Sequence, residues 1–175
     1  MVNSQLVIDF VNTLDLRPYV ESLATPEQLA DWLRERGLLT EGGRATKADV
    51  EEAVRVREAL RELLAAQSGL EADTAAATGV LDEAARRARL TLRFSTAGAT
   101  FEPAAAGVQG ALGRLLAEVS AGMADGTWAR MKACRADDCR WAFLDTAKNR
   151  SRAWCSMQSC GNRAKANAYR ARHGH

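Results

Sequence analysis

The chain has 175 residues and a mass of 19.0 kDa, with 47% hydrophobic and 26% charged residues. That composition excludes wholesale disorder and leaves room for one compact domain, alone or carrying a small module. No apolar run approaches the ~20 residues a membrane helix needs, and MVNSQLVIDF lacks the basic start and small-residue cleavage site of a secretory signal, so no membrane partner and a cytoplasmic location are expected. The net charge of +2 hides a segregation: residues 1–127 carry 13 Lys and Arg against 19 Asp and Glu, whereas residues 128–175 carry 11 against 3. All four cysteines also fall in the basic stretch, so two independent signals mark a boundary near Asp125-Gly126 between units 1–127 and 128–175. Arginine supplies 20 of the 24 cations and alanine is abundant, a composition that suits a GC-rich bacterial genome.

In chain order, Leu6, Val7, Phe10, Val11 and Leu14 recur on one helical face, which predicts a first helix despite the β-branched content. Thr25, Pro26 and Gln28 form a capping box with proline at the first helical position, ahead of Leu29, Trp32 and Leu33, and Gly37 stops that helix. A longer helix runs from Thr46 through Val50, Val54, Leu60 and Leu64 to Ser68-Gly69, and another covers about Thr74 to Ala88. Leu90-Thr-Leu-Arg-Phe94 then alternates, and with Thr100-Phe-Glu102 it predicts a small β-hairpin. Val108, Leu112, Leu115, Leu116, Val119 and Met123 restore helical spacing up to Gly126.

Arg57 falls inside the apolar arc set by Val50, Ala53, Leu60 and Leu64, where an unpaired guanidinium is costly to bury. It requires an acidic partner, and Asp9 in the first helix, with Asn12 and Thr13 close by in sequence, is the candidate. The group reads either as a buried ion pair fixing helix packing or as a pocket for a small-molecule effector.

Cys134-Arg-Ala-Asp-Asp-Cys139 and Cys155-Ser-Met-Gln-Ser-Cys160 are two pairs with the same four-residue gap, fifteen residues apart. Each gap lets a turn aim both sulfurs at one ion, and two such turns complete a closed tetrahedral thiolate site, structural rather than catalytic. Structural Zn2+ is the expected occupant, with iron or a pair of disulfides as the alternatives. Four thiolates and a zinc add −2, so the tail falls from +8 to about +6 and still calls for an anionic partner. Between the pairs, Arg140-Trp-Ala-Phe-Leu144 alternates like a strand, with Ala153-Trp154 as the expected return strand and Asp145 to Ser151 as the turn. After Cys160 a basic helix places Arg163, Asn167 and Arg170 on one face and Lys165, Tyr169 and Arg172 on another. Knuckle, hairpin and helix make a treble-clef-like unit, so the fold class is mainly α: a helical domain with a small β-hairpin, followed by a zinc finger.

Cys160-Gly-Asn-Arg163, with Phe143-Leu-Asp-Thr146 and Asn149-Arg-Ser-Arg152 between the pairs, resembles the CGNR zinc finger. Ile8-Asp-Phe-Val-Asn-Thr-Leu14, Leu29-Ala-Asp-Trp-Leu33 and Arg57-Glu-Ala-Leu60 resemble the ABATE domain that precedes this finger. Ala153 departs from the pattern, standing where a basic residue is expected. The resemblance implies a bacterial, stress-related transcription regulator whose finger binds DNA.

Independently of the resemblance, Arg163, Lys165, Asn167, Arg170 and Arg172 can divide phosphate and base-edge contacts, with Arg163 and Asn167 as base readers. Arg163 has a competing role, because in the Cys160 loop it can bond a thiolate or carbonyl and hold the metal site. The plain alternative for the basic helix is a solvated charged stripe, although 11 cations against 3 anions exceeds what solubility requires. Trp128, Trp141 and Trp154 read as packing, and Tyr169 as the best candidate for base stacking. The leading function is a DNA-binding regulator whose helical domain senses an effector or forms a homodimer. A protein-interaction adaptor and an RNA-binding protein are the alternatives. An enzyme is not expected, since the only histidines are His173 and His175, at the chain end, and no nucleophile-base motif is present.

Overall fold

The computed structural model describes residues 3–96 and 98–173. Helix α1 (Ser4–Val11) is capped by the Asn3 side chain accepting from the Leu6 amide at 3.1 Å. It ends one turn earlier than the apolar spacing predicts, because the Thr13 hydroxyl donates to the Phe10 carbonyl at 2.8 Å and turns the chain. Leu14 is buried, but in a strand. β1 (Leu14–Leu16) and β2 (Tyr19–Glu21) form a hairpin that the helical periodicity of Leu6 to Leu14 conceals.

The capping box read from sequence at Thr25 is observed, and the structure adds another. Helix α2 (Pro26–Glu35) has the full Thr25/Gln28 capping box and α3 (Lys47–Gln67) a second one from Thr46 and Asp49. Gly37, Gly69 and Gly126 take φ of 66°, 73° and 81° at helix ends, a region that favours glycine. Helix α4 (Thr74–Arg87) leads into the antiparallel β3 (Leu90–Ser95) and β4 (Gly98–Pro103), and α5 (Gly107–Asp125) follows. Helices α1, α2, α3 and α5 enclose the core around Phe10, Leu29, Leu33, Leu60, Leu64, Leu112 and Leu115, with the Phe10 and Trp32 rings tilted at 5.4 Å. Among the described residues no helix is long and apolar enough to cross a membrane.

After a short turn at Trp128–Arg130, β5 (Met131–Ala133) pairs antiparallel with β6 (Ala142–Leu144). This corrects the expected pairing of residues 140–144 with Ala153-Trp154. The Ala153 carbonyl instead accepts from the Arg135 amide at 3.0 Å, beside the first cysteine turn. The hairpin Met131–Leu144 belongs to the helical core, where Trp128, Met131, Ala133 and Ala142 pack with α1, α3 and α5. Its outer edges are closed by side chains. Asn12 acts as a strand partner for Ala142, accepting from its amide at 2.8 Å and donating to its carbonyl at 2.9 Å. The Ser68 hydroxyl accepts from the Ala133 amide at 2.9 Å, and Gln67 donates to the Trp128 and Met131 carbonyls.

The last helix, α6 (Asn162–His173), grows from a π-helical turn at Met157–Gly161. Losing Asn12 would leave a buried strand edge unpaired, and each orphaned backbone group costs about 1–3 kcal/mol. Asn12→Ala is therefore expected to lower stability by about 2 kcal/mol and to speed amide exchange at residues 142–144, measured by hydrogen exchange; exchange there at the native rate would deny Asn12 this role.

Candidate metal centre and basic helix

The Sγ atoms of Cys134, Cys139, Cys155 and Cys160 all lie within 4.8 Å of one another, with Cys139 to Cys155 at 3.7 Å and Cys155 to Cys160 at 3.8 Å. Four thiolates at about 2.3 Å from a tetrahedral zinc are separated by about 3.8 Å, so the set fits that ion. It does not fit the ~2.05 Å of a disulfide, and the four thiols are free. Charge explains why a cation belongs there. A hydrogen bond from the Cys139 thiol, against the opposing effect of burial, pulls Cys134 down to about 5, while that same bond and burial push Cys139 up. Burial and the neighbouring Cys134 charge push Cys155 up to about 12. The charge on Cys134 thus opposes ionisation of Cys139 and Cys155, and a divalent ion offsets that repulsion.

Each residue of Cys160-Gly-Asn-Arg163 has a distinct task. Cys160 is a ligand. A Cβ on Gly161 would meet the Met157 sulfur at 2.5 Å and the Trp154 ring at 3.1 Å, so the turn admits only glycine without displacing them. Asn162 donates to the Gln158 carbonyl at 3.3 Å. Arg163 Nη2 donates to Asp138 Oδ1 at 2.8 Å and approaches Cys160 Sγ at 3.6 Å, tying the two cysteine turns together. Arg163 is therefore occupied at the metal loop, the competing role that its place beside Cys160 suggests. Between the turns, Asp145 is fully buried and accepts from Lys132 at 2.7 Å and from the Ala147 and Arg152 amides. Burial opposes its ionisation, but these bonds outweigh burial and hold its carboxyl below the usual range.

Beyond Arg163 the helix is bare. None of its twelve residues is buried. Asn167 accepts from Arg170 at 3.1 Å, and Tyr169, 60% exposed, stacks on His173 at 4.3 Å. Lys165, Arg170 and Arg172 have no carboxylate partner among the described residues. His175 lies outside the described residues. Trp128 is in the helical core, whereas Trp141 and Trp154 pack against the cysteine cluster.

Residues 4–127 match the ABATE family, described as "Putative stress-induced transcription regulator", and residues 130–173 match the CGNR zinc finger. The chain belongs to the ABATE family. No curated protein matches it. The CGNR match and the sulfur geometry together make the four cysteines a structural zinc site.

In the ABATE domain Arg57 is 1% exposed, as its place in the apolar arc requires, but its partner is not Asp9. Arg57 donates from Nη1 and Nη2 to the two Glu21 oxygens at 2.7 and 2.8 Å, from Nε to Glu58 at 2.7 Å and from Nη1 to the Thr13 hydroxyl at 3.2 Å. Asp9 instead accepts from Gln5 at 2.7 Å on the surface, and Asn12 is committed to Ala142, so Asp9, Asn12 and Arg57 form no common pocket. Arg61, also buried, bonds Glu58 at 2.9 Å, the Val11 carbonyl at 2.7 Å and the Leu14 carbonyl at 3.4 Å. Glu58 and Arg61 were missed in the sequence, although their charges lie within one turn of Arg57 on α3, and Glu21, 36 residues away, gave no local signal. Burial disfavours the charged forms of Glu21 and Arg57, yet their mutual bonds prevail, so the Glu21 carboxyl lies below its ordinary value and the Arg57 guanidinium above.

Two outcomes are expected. Chelation should remove about one zinc per chain and expose residues 134–140 and 153–173 to amide exchange, while β5 and β6 keep their protection inside the helical core. Loss of protection throughout 128–173 would mean the hairpin has no hold of its own. Glu21→Ala should cost about 3 kcal/mol in thermal or denaturant unfolding, since it removes the bidentate partner of a buried guanidinium and leaves it Glu58 and Thr13, and Asp9→Ala under about 1 kcal/mol. Because the Glu21 and Asp145 carboxyls are depressed, their stabilisation is full above the ordinary carboxylate pKa and is lost as pH falls below it. In Glu21→Ala that acid sensitivity should be smaller.

Proposed function

We propose that the chain is a DNA-binding transcription regulator whose finger docks α6 on duplex DNA. The observation that carries this reading is a twelve-residue basic helix that buries nothing and stands on a metal-fixed turn. An isolated helix of this length is marginal in water, and a helix with no apolar face gains nothing from its own protein, so its packing partner is external. The phosphate backbone is the partner its charge suits.

The full cationic excess of the tail does not face outward. Arg130, Lys132, Arg135, Arg140, Arg152 and Arg163 all bond protein carbonyls or carboxylates. Lys148, Arg150, Lys165, Arg170 and Arg172 are exposed. These five form the candidate anion-binding set, with Asn167 and Tyr169 as the residues able to address bases. A binding role also accounts for the thiols, which the zinc uses as closed structural ligands. The family description favours a stress-induced regulator, and the arginine- and alanine-rich composition favours a bacterial source.

Sequences selected from a random duplex pool should be bound with a steep salt dependence. Lys165→Ala, Arg170→Ala and Arg172→Ala should each lower the slope of log affinity against log salt by about one, at unchanged zinc content. Asn167→Ala should weaken selected duplexes more than scrambled ones. Affinity that ignores salt and all three cation substitutions would sink the reading, and tighter binding of single-stranded RNA would redirect it to RNA.

A further inference from the structure

The β3–β4 hairpin divides its residues completely by face. In an antiparallel pair, directly opposed residues share a face and successive residues alternate. The observed register pairs Leu90 with Pro103, Leu92 with Phe101 and Phe94 with Ala99 on one side, and Thr91 with Glu102, Arg93 with Thr100 and Ser95 with Gly98 on the other. One face is wholly apolar, and the other carries the polar groups. Such a pattern specifies a buried face, yet Leu92, Phe94 and Phe101 are 47%, 82% and 43% exposed. At the base of this face lies an open groove of about 630 Å³, walled mainly by Leu81, Ala85, Leu116, Val119, Met123 and Phe101, with Asp82, Arg86 and Arg89 also lining it.

We propose that this apolar hairpin face and its groove are a self-association surface, taking the same face of a second copy about a twofold axis. Phe94 of each copy would seat in the groove of the other. The area matches what a dimer needs. Aromatic and large aliphatic side chains carry roughly 150–250 Å² each, so the exposed parts of Leu92, Phe94, Phe101 and Met123 amount to on the order of 400 Å² per copy. A standard interface buries about 800 Å² per partner, somewhat over half of it apolar. A small molecule filling the groove would leave Leu92 and Phe94 uncovered, since neither lines it. This chain supplies both a projecting ring and a receiving groove on one continuous surface, which is the self-complementarity an isologous contact requires. The surface lies in the ABATE domain, and its role stands or falls separately from nucleic-acid binding.

Sedimentation of the full zinc-loaded chain from about 1 to 100 μM tests this, with circular dichroism to confirm folding. The wild type should approach twice the 19.0 kDa chain mass as concentration rises. Phe94→Asp should raise the dimer dissociation constant on the order of 100-fold or more, because each dimer loses two buried rings. Leu92→Asp should act in the same direction, and Thr100→Asp on the polar face should leave the constant unchanged. A wild type that stays monomeric throughout, a dimer indifferent to Phe94→Asp, or equal disruption by Thr100→Asp would each overturn the proposal. So would native mass spectrometry showing a monomer that retains a small apolar ligand.

Discussion

Four sulfur atoms within 4.8 Å of one another are the constraint on which the two cysteine turns and α6 depend. As thiols they lack the charge to bind each other, and as thiolates they repel. A closed divalent site converts that repulsion into cohesion and fixes the two cysteine turns relative to one another. Around the metal the turns are also tied by Arg135, which donates to the Ser68 carbonyl, and by Arg152, which donates to the Cys155 carbonyl. Phe143, Trp141 and Trp154 pack round the sulfurs, and the salt bridges from Arg17 and Arg163 to Asp138 cross between elements at the surface. Surface ion pairs contribute at most about 1 kcal/mol each. The direction in which α6 leaves the protein is therefore set by the metal, since no residue of that helix is buried.

The other end of the finger is fixed by different physics. Its hairpin is packed into the helical core and bonded through Asn12, Gln67 and Ser68, so the boundary that charge and cysteine content draw near Gly126 is not a mechanical one. The buried Arg57, Glu21, Glu58 and Arg61 network stands behind that contact. Arg61 holds the carbonyls of Val11 and Leu14, which flank Asn12, and thereby positions the residue that grips β6. Replacing a buried ion pair with apolar groups is often neutral for stability, so the network's contribution is better sought in placing the Asn12 turn than in raw energy.

Legibility in the sequence followed the range of the interaction. The capping box at Thr25, the start of the long helix at Thr46, the glycine stops and the hairpin of alternating residues all act within a few positions, and the structure shows them where the residues indicate. The cysteine spacing was equally legible because metal geometry leaves few alternatives. Arg57 was visible as a buried charge, but its partner was not. Glu21 sits in a three-residue strand 36 positions away, with no periodicity to point across the gap, and Asp9 was merely the carboxylate on the nearest amphipathic helix. The pairing of β6 failed for a related reason: β5 is only three residues long, Met131-Lys132-Ala133, too short for alternation to announce a strand. Arg163 shows the limit of helical phase: a residue can share a face with Asn167 and still be held by Asp138 and Cys160 at the helix root.

Composition alone also misassigned the purpose of the cations. Six of the basic residues in the finger are bonded into its own loops, where arginine suits carbonyl-rich turns that have few other donors. What separates a functional surface from a structural one is the failure of an element to find its complement within the chain. Helix α6 has charge and no apolar face, yet no wall of its own protein beside it. Hairpin β3–β4 has an apolar face, yet most of that face is exposed. Local sequence and local burial agree over most of the helical core, the buried Arg57 and Arg61 apart, and they disagree at these two elements in opposite senses. A polar helix with nothing to bury calls for an anionic partner in water, and an apolar sheet face left in water calls for another apolar surface.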